Sequence, residues 1–378
     1  MKLILSKTLF AHAIETAASV ADKKIANIAD FILLTVQDGV LTVTGTDMER
    51  ESKTSVRLEE ESENGSALVS GKKLKDLVKS APADSTVTFT KDTKEHDAFI
   101  MKFSGTRSRF MLRGKDATSF PNIQLDDDRK VLTVNRLSFV RALDAMSKFS
   151  ADNDVRYYLN GVQLVADANS LKLTATDGHR LSQSRVALED NSEDAPFDVI
   201  VPRKAVSDIV KMLKNGDENI QISTTENHII LQLGDDSGTV DGYISTLISG
   251  KFPDSERVIP RNNQFTYRAD RSLLIGSLTR AAILANEKFR GVRLNFTNNE
   301  LVIESNNPEQ DSASEVVDLE SMSQGSIEIG FNVNYVLDAL QMYTDETVLI
   351  QLQDNNSSAL ICTESANDHI AVLMPMRL

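Results

Sequence analysis

The stretch VIVPRKAVSDIVKM (199–212) runs an apolar strand through a short break into a helix, and the helix carries the pattern apolar-x-Asp-x-apolar in Val206, Asp208 and Val210. The same unit occurs at ALVSGKKLKDLVKS (67–80) and IGFNVNYVLDALQM (329–342), with Leu74-Asp76-Val78 and Val336-Asp338-Leu340. The aspartates are spaced 132 and then 130 residues apart. A period of that length is too long for a solenoid unit and marks a tandem of whole domains.

The flanking segments repeat in the same order. Helices with apolar residues four apart begin near Phe10/Ile14, Phe139/Leu143 and Leu274/Leu278, each after a short strand, KLIL, VLTV or FTYR. Paired strands follow at 31–47, 159–177 and 292–307. They alternate apolar and polar residues about a Gly, Asn or Ser turn, the signature of antiparallel hairpins with one buried face. Asp47, Asp177 and Asn307 occupy equivalent places, 130 residues apart. The expectation is an α+β chain of three domains, each with two helices and about eight strands on antiparallel sheets. The boundaries fall in QLDDDRK (124–130) and FPDSERVIPRNNQ (252–264), which gives domains 1–126, 127–256 and 257–378.

Composition narrows the class. The 378 residues are 41% apolar and 25% charged, as in soluble globular proteins. No apolar run approaches the roughly 20 residues of a membrane span, and MKLILSKTLF is too short in apolar length for a signal peptide. The single cysteine, Cys362, forms no intramolecular disulfide, and a cytoplasmic protein is expected.

The net charge of −14 argues against a generic nucleic-acid binder. Its distribution reverses that reading. The expected helices (9–20, 72–80, 138–149, 203–214, 271–285 and 334–342) hold twelve Lys/Arg and five Asp/Glu, a net +7, so strands and loops carry −21. Basic helices in an acidic chain point to one positive surface for a polyanion. The last helix carries no basic residue, so the pattern is uneven.

TATDGHRLSQ (174–183) sets an acid, a glycine, an imidazole and a guanidinium side by side, the raw material of a catalytic turn. A hydrolase or metal-dependent enzyme centred on Asp177, His179 and Arg180 is therefore the alternative function. Against it, the five histidines lack metal-ligand spacing, no phosphate loop or dinucleotide fingerprint is present, and the equivalent stretches TVTGTDMERE and IESNNPEQDS contain no histidine. No cofactor, metal or catalytic residue is expected. A monomeric repeat scaffold is the third reading.

Motifs along the whole chain carry a resemblance. TGTD (44–47), SRF (108–110), DVRYYLNG (154–161), ATDGHRL (175–181), VIVPRK (199–204), FPD (252–254), RAAIL and NEKFRGVRL (280–294), NNPEQ (306–310), IGFNVNYVLD (329–338) and the terminal MPMRL resemble the bacterial DNA sliding clamps, the beta subunits of DNA polymerase III. The resemblance implies three clamp domains per chain and a head-to-tail homodimeric ring, with helices lining a hole for threaded, sequence-neutral double-stranded DNA and sheets outside. It implies a non-catalytic processivity subunit. Its partners would be the polymerase III catalytic subunit, the clamp-loader ATPase and other polymerases and repair proteins, with no membrane.

The resemblance also assigns residues. Family DNA contacts fall on Lys24, Asn153, Tyr157 and Tyr158, and the charge tally adds Arg203 and Lys204. Subunit contacts fall on Lys73, Phe110 and Leu112 on one side and Ile283 and Leu284 on the other. A groove for short partner peptides, bearing a Gln and paired Leu/Phe anchors, falls on Leu159, Thr176, Gly178, His179, Arg180, Leu181, Pro253, Arg257, Val258, Ser358, Val372, Met374, Pro375, Met376 and Arg377. Pliable thioethers suit such a promiscuous surface. This chain has Ser255 and Glu256 where the family often has bulkier or basic residues.

Overall fold

A computed structural model describes residues 1–21, 30–189, 196–214, 216, 218–234, 238–323, 325–364 and 369–377. Three copies of one element order follow each other. The first is β1 (Lys2–Ser6), α1 (Lys7–Val20), β2 (Phe31–Gln37), β3 (Val40–Thr46), β4 (Arg50–Arg57), β5 (Gly65–Ser70), α2 (Gly71–Ser80), β6 (Thr86–Lys91), β7 (Ala98–Phe103) and β8 (Phe110–Arg113). The second is β9 (Lys130–Asn135), α3 (Arg136–Phe149), β10 (Gly161–Ala166), β11 (Ser170–Thr176), β12 (Arg180–Ala187), β13 (Phe197–Pro202), α4 (Arg203–Met212), β14 (Asn219–Thr224), β15 (His228–Gly234) and β16 (Val240–Thr246). The third is β17 (Phe265–Asp270), α5 (Arg271–Ile283), β18 (Gly291–Phe296), β19 (Glu300–Asn306), β20 (Ser312–Ser321), β21 (Ile327–Asn332), α6 (Val333–Gln341), β22 (Thr347–Leu352), β23 (Ala359–Cys362) and β24 (His369–Leu373).

The break between strand and helix is a cap. The side chains of Ser6, Ser70, Asn135, Asp270 and Asn332 accept a backbone N–H from the first turn of the helix that follows, which stabilises each start by about 1 kcal/mol. Among the described α-helices, α4, entered from Pro202, is the one without a side-chain cap. The helices then bury one stripe; in α1 this is Phe10, Ala13, Ile14, Ala17 and Val20. The backbone of α1 lies so close to β3 that a Cβ at Gly45 would sit 1.9 Å from the Ala17 carbonyl oxygen. Only glycine fits there.

The chain packs as two compact units, Met1–Thr133 with Ile220–Leu247, and Val134–Asn219 with Ile248–Leu378. The units cut through the second copy because strands pair across copy boundaries. In the first unit β4 pairs antiparallel with β16, from Val240↔Ser55 to Ser245↔Arg50, within the order β5-β2-β3-β4-β16-β15-β14-β9. A separate sheet, β1-β6-β7-β8, ends on β8. In the second unit β12 pairs with β24, from Arg180↔Leu373 to Ser184↔His369, within a twelve-stranded sheet. That sheet runs β13-β10-β11-β12-β24-β23-β22-β17-β20-β19-β18-β21. Among the described residues no helix is long and apolar enough to cross a membrane.

Candidate peptide-binding groove

The turn Thr176–Arg180 closes the hairpin of β11 and β12. Thr176 Oγ1 donates to the Arg180 carbonyl at 2.6 Å and accepts from Gly178 N at 3.1 Å. Asp177 Oδ1 accepts from the backbone of His179 and Arg180 at 2.9 and 3.0 Å, and its Oδ2 accepts from Arg180 Nε at 3.0 Å. Thr46–Arg50 repeats every one of these bonds: 2.7 and 3.0 Å at Thr46, 3.1 and 2.7 Å at Asp47 Oδ1, and 2.9 Å from Arg50 Nε. The acid is the acceptor of an Asx turn and the arginine its counter-ion. A copy with Glu49 in place of the imidazole builds the same geometry, so the trio is turn architecture and carries no catalytic arrangement. Among the described residues no group of three His, Cys, Asp or Glu is set to hold a metal ion.

Gly178 takes φ +89°, and Met48 takes +73° at the equivalent place. The glycine has a second use. A Cβ on it would meet the Arg156 guanidinium at 2.9–3.0 Å. Arg156 lies flat on this face, held by Asp154 at 3.0 and 2.9 Å and donating to the Asp177 carbonyl at 3.3 Å. The side-chain and backbone donors of Arg156 pull the Asp154 carboxyl down to about 2.

A mainly apolar groove of about 270 Å³ opens beside this turn. Leu159, Thr176, Gly178, Arg180, Leu181, Pro253, Val258, Val372 and Met374 line it, together with Arg156, Tyr158, Phe252, Asp254 and Ser255. The buried floor is Leu159, Leu181 and Val372, from the turn before β10, from β12 and from β24. Met374 stands 44% exposed at the mouth, where its N–H donates to the His179 carbonyl at 2.9 Å. Pairing of β12 with β24 therefore assembles the groove from the second and third copies.

Six of the expected groove residues do not line it. His179 is exposed, with its ring stacked on Tyr335 at 6.5 Å. Arg257 pairs with Asp254 at 2.9 Å. Ser358 is half-buried just before β23. Pro375 and Met376 are half-buried and Arg377 is exposed, and Met376 N–H donates to the Gly330 carbonyl at 2.8 Å. Glu256 does not line the groove either: it is held by Lys172 at 3.6 Å, Arg261 at 3.3 Å and Gln183 at 3.4 Å. Ser255 is buried in the wall and Asp254 caps the turn it begins. Sequence reasoning missed Arg156, Phe252 and Asp254. Arg156 sits inside DVRYYLNG, and Phe252 and Asp254 flank Pro253 in FPD, so the motifs held them unassigned.

The residues expected at DNA divide. Lys24 lies outside the described residues. Asn153 is exposed with φ +58°, Tyr157 is 56% exposed, and Lys204 is exposed. Tyr158 is half-buried in the groove wall, edge-on to Tyr157 at 5.8 Å. Arg203 is half-buried and donates to the Ser150 carbonyl at the end of α3. Of the expected subunit contacts, Lys73 is exposed, Phe110 is half-buried on Phe103 at 5.5 Å, and Leu112 is in the core. Ile283 is 74% exposed and Leu284 half-buried.

Three family models match in succession: the DNA polymerase III beta subunit N-terminal domain over 1–124, its central domain over 133–254 and its C-terminal domain over 256–377. The chain belongs to the DNA polymerase III beta subunit family. It is 38% identical over 347 residues to the beta sliding clamp of Pseudomonas putida, covering 92% of this chain and 91% of that one. The beta sliding clamp of Escherichia coli K12 is 37% identical over the same length, with the same coverage. The crystal structure of the DNA polymerase sliding clamp from Pseudomonas aeruginosa with ligand superposes over the whole of both chains with a TM-score of 0.93 at 36% identity. A clamp from the same organism bound to griselimycin matches with a TM-score of 0.93, 36% identity and full coverage of both chains. The fold is thus three tandem beta-clamp domains, and the beta subunit family is the non-catalytic processivity subunit. The hydrolase alternative has no support in these relatives.

Proposed function

We propose that two copies of this chain close head to tail into a ring around duplex DNA and tether the replicative polymerase, the clamp loader and repair proteins through the groove. Open strand edges carry this reading. The fourth strand of a copy pairs with the last strand of the next copy, as β4 with β16 and β12 with β24. That leaves the Ser312–Asp318 stretch of β20, which meets β19 on one side only before Leu319–Ser321 go on to pair with β17, and β8 at the end of its sheet. Pairing β20 of one chain with β8 of a second copy uses both edges, which would otherwise invite aggregation. A heterologous contact of this kind closes when its rotation fits. Exposed Val316, Met111 and Ile283 supply apolar surface for the same joint, beside Phe110, Leu284 and Lys73.

We assign domains at 1–126, 127–256 and 257–378, and the protein to the cytoplasm. Asn153, Tyr157 and Lys204 face DNA. Tyr158 and Arg203 serve the groove wall and the end of α3. The peptide lies over Leu159, Leu181 and Val372 with Met374 at its side. The clamp from Pseudomonas aeruginosa solved bound to griselimycin supports a ligand-accepting surface on this fold. Retention on nicked circular DNA, lost when the DNA is linearised, tests threading. Equal release from both topologies would overturn it.

A further inference from the structure

Arg180 touches three separate elements. Its Nε donates to Asp177 in the turn at 3.0 Å, its Nη1 to Asp338 of α6 at 2.6 Å, and its Nη2 to the Lys148 carbonyl in the last turn of α3 at 2.6 Å. Its guanidinium also lies against the rings of Phe149 at 5.0 Å and Tyr335 at 4.3 Å, and the side chain is only 10% exposed. Asp338 is the aspartate of the repeated helix motif. A planar, always-charged fork with every nitrogen engaged is a fastening, because breaking it leaves buried charge uncompensated.

The third copy departs at this position. Asn306↔Ser312 in β19 and β20 corresponds to Thr176↔Leu181 and Thr46↔Glu51, so Asp311 stands where the earlier copies have Arg180 and Arg50. The turn there is one residue longer, and Gln310 takes the left-handed φ of +70°. The charge is reversed in the copy whose next domain belongs to a second chain. Asp76 of α2, the equivalent of Asp338, is exposed.

We propose that Arg180 is a latch fastening the third domain to the second, which keeps the two halves of the groove in register. The chain omits this latch between subunits, so the subunit joint is the one that parts. The first half stands on the contacts above; the second rests on the ring reading.

The test is hydrogen exchange on the whole chain, paired with dimer dissociation and with binding of a short synthetic peptide bearing a Gln and a Leu-Phe pair. In Arg180→Gln, amides of β24 such as Val372 should exchange at least about tenfold faster while Ile303 of β19 stays within about twofold, since local opening differs from global unfolding. Asp338→Asn should reproduce the effect and add little in the double variant, because the two residues act as one unit. It keeps the turn intact, so it stands in should Arg180→Gln fail to fold. The dimer dissociation constant should stay within about twofold, as expected of mutations distant from the joint. Lost peptide affinity with β24 protection intact would make Arg180 a contact residue and overturn the latch. So would protection lost equally at Ile303. A weakened dimer would overturn its omission between subunits. A wild type that never dimerises would overturn the ring, leaving the exchange result to decide the latch alone.

Discussion

At the scale of the residue, neighbours in sequence take opposite tasks. Arg203 and Lys204 look equally fit for phosphate, yet Arg203 donates to the Ser150 carbonyl while Lys204 faces solvent. Arg203→Ala should lower unfolding stability by about 1.5–2 kcal/mol, the lower range for a hydrogen bond from a charged group. Lys204→Ala should stay within about 0.5 kcal/mol, as surface changes do. Urea unfolding curves check both. Gly178→Ala separates strain from space. Met48 tolerates the same left-handed backbone, so the backbone cost is about 1–2 kcal/mol. The larger consequence is displacement of Arg156 from the groove wall, read as weaker peptide binding in a protein that still folds. The Asp154–Arg156 pair should withstand acid. Its carboxyl is depressed to about 2, so the pairing holds above the ordinary carboxylate range and is lost only as pH falls through about 2. A carboxyl titration by NMR with a midpoint near 4 would remove Arg156 from that role.

At the scale of the element, the last strand completes the groove. β24 supplies Val372, and the segment beyond supplies Met374, tied by one backbone bond to His179 and by another from Met376 to Gly330. Deleting Met374–Leu378 should abolish peptide binding and leave the dimer intact; unchanged affinity, by fluorescence anisotropy, would place the groove elsewhere. Helices and strands were legible because apolar period and capping residue coincide: the helix expected at 271–285 is α5 at Arg271–Ile283, capped by Asp270, and that expected at 72–80 is α2 at Gly71–Ser80, capped by Ser70. Pairing between copies was not legible. Nothing local in RLSQS announces that it will meet HIAVL, because that partnership joins residues far apart in sequence. The same distance hid Arg180's partner, Asp338, so only the arginine's place in the groove lining was legible.

At the scale of the whole molecule, a chain of net charge −14 can hold DNA without binding it tightly. Basic residues concentrate on helices, and a ring retains its duplex by topology, so phosphate contacts need supply only weak, salt-dependent, sequence-neutral attraction. Lys204→Glu should therefore flatten the salt dependence of loading; an unchanged slope would take α4 away from the DNA. Closure is the more exacting requirement. Ile283 is 74% exposed at the end of α5, where it adds little to the stability of the isolated chain. Burying such a side chain in a subunit joint yields about 1.5–3 kcal/mol, and a carboxylate there adds a desolvation cost. Ile283→Asp should therefore raise the dimer dissociation constant at least about tenfold, the equivalent of about 1.4 kcal/mol, while thermal unfolding of the monomer and peptide affinity stay unchanged. The same variant should slip from nicked circular DNA as fast as from linear DNA. If it remains a dimer by sedimentation, or is retained on circles as the parent is, then α5 lies outside the joint and the pairing of β20 with β8 must be closed by other surfaces.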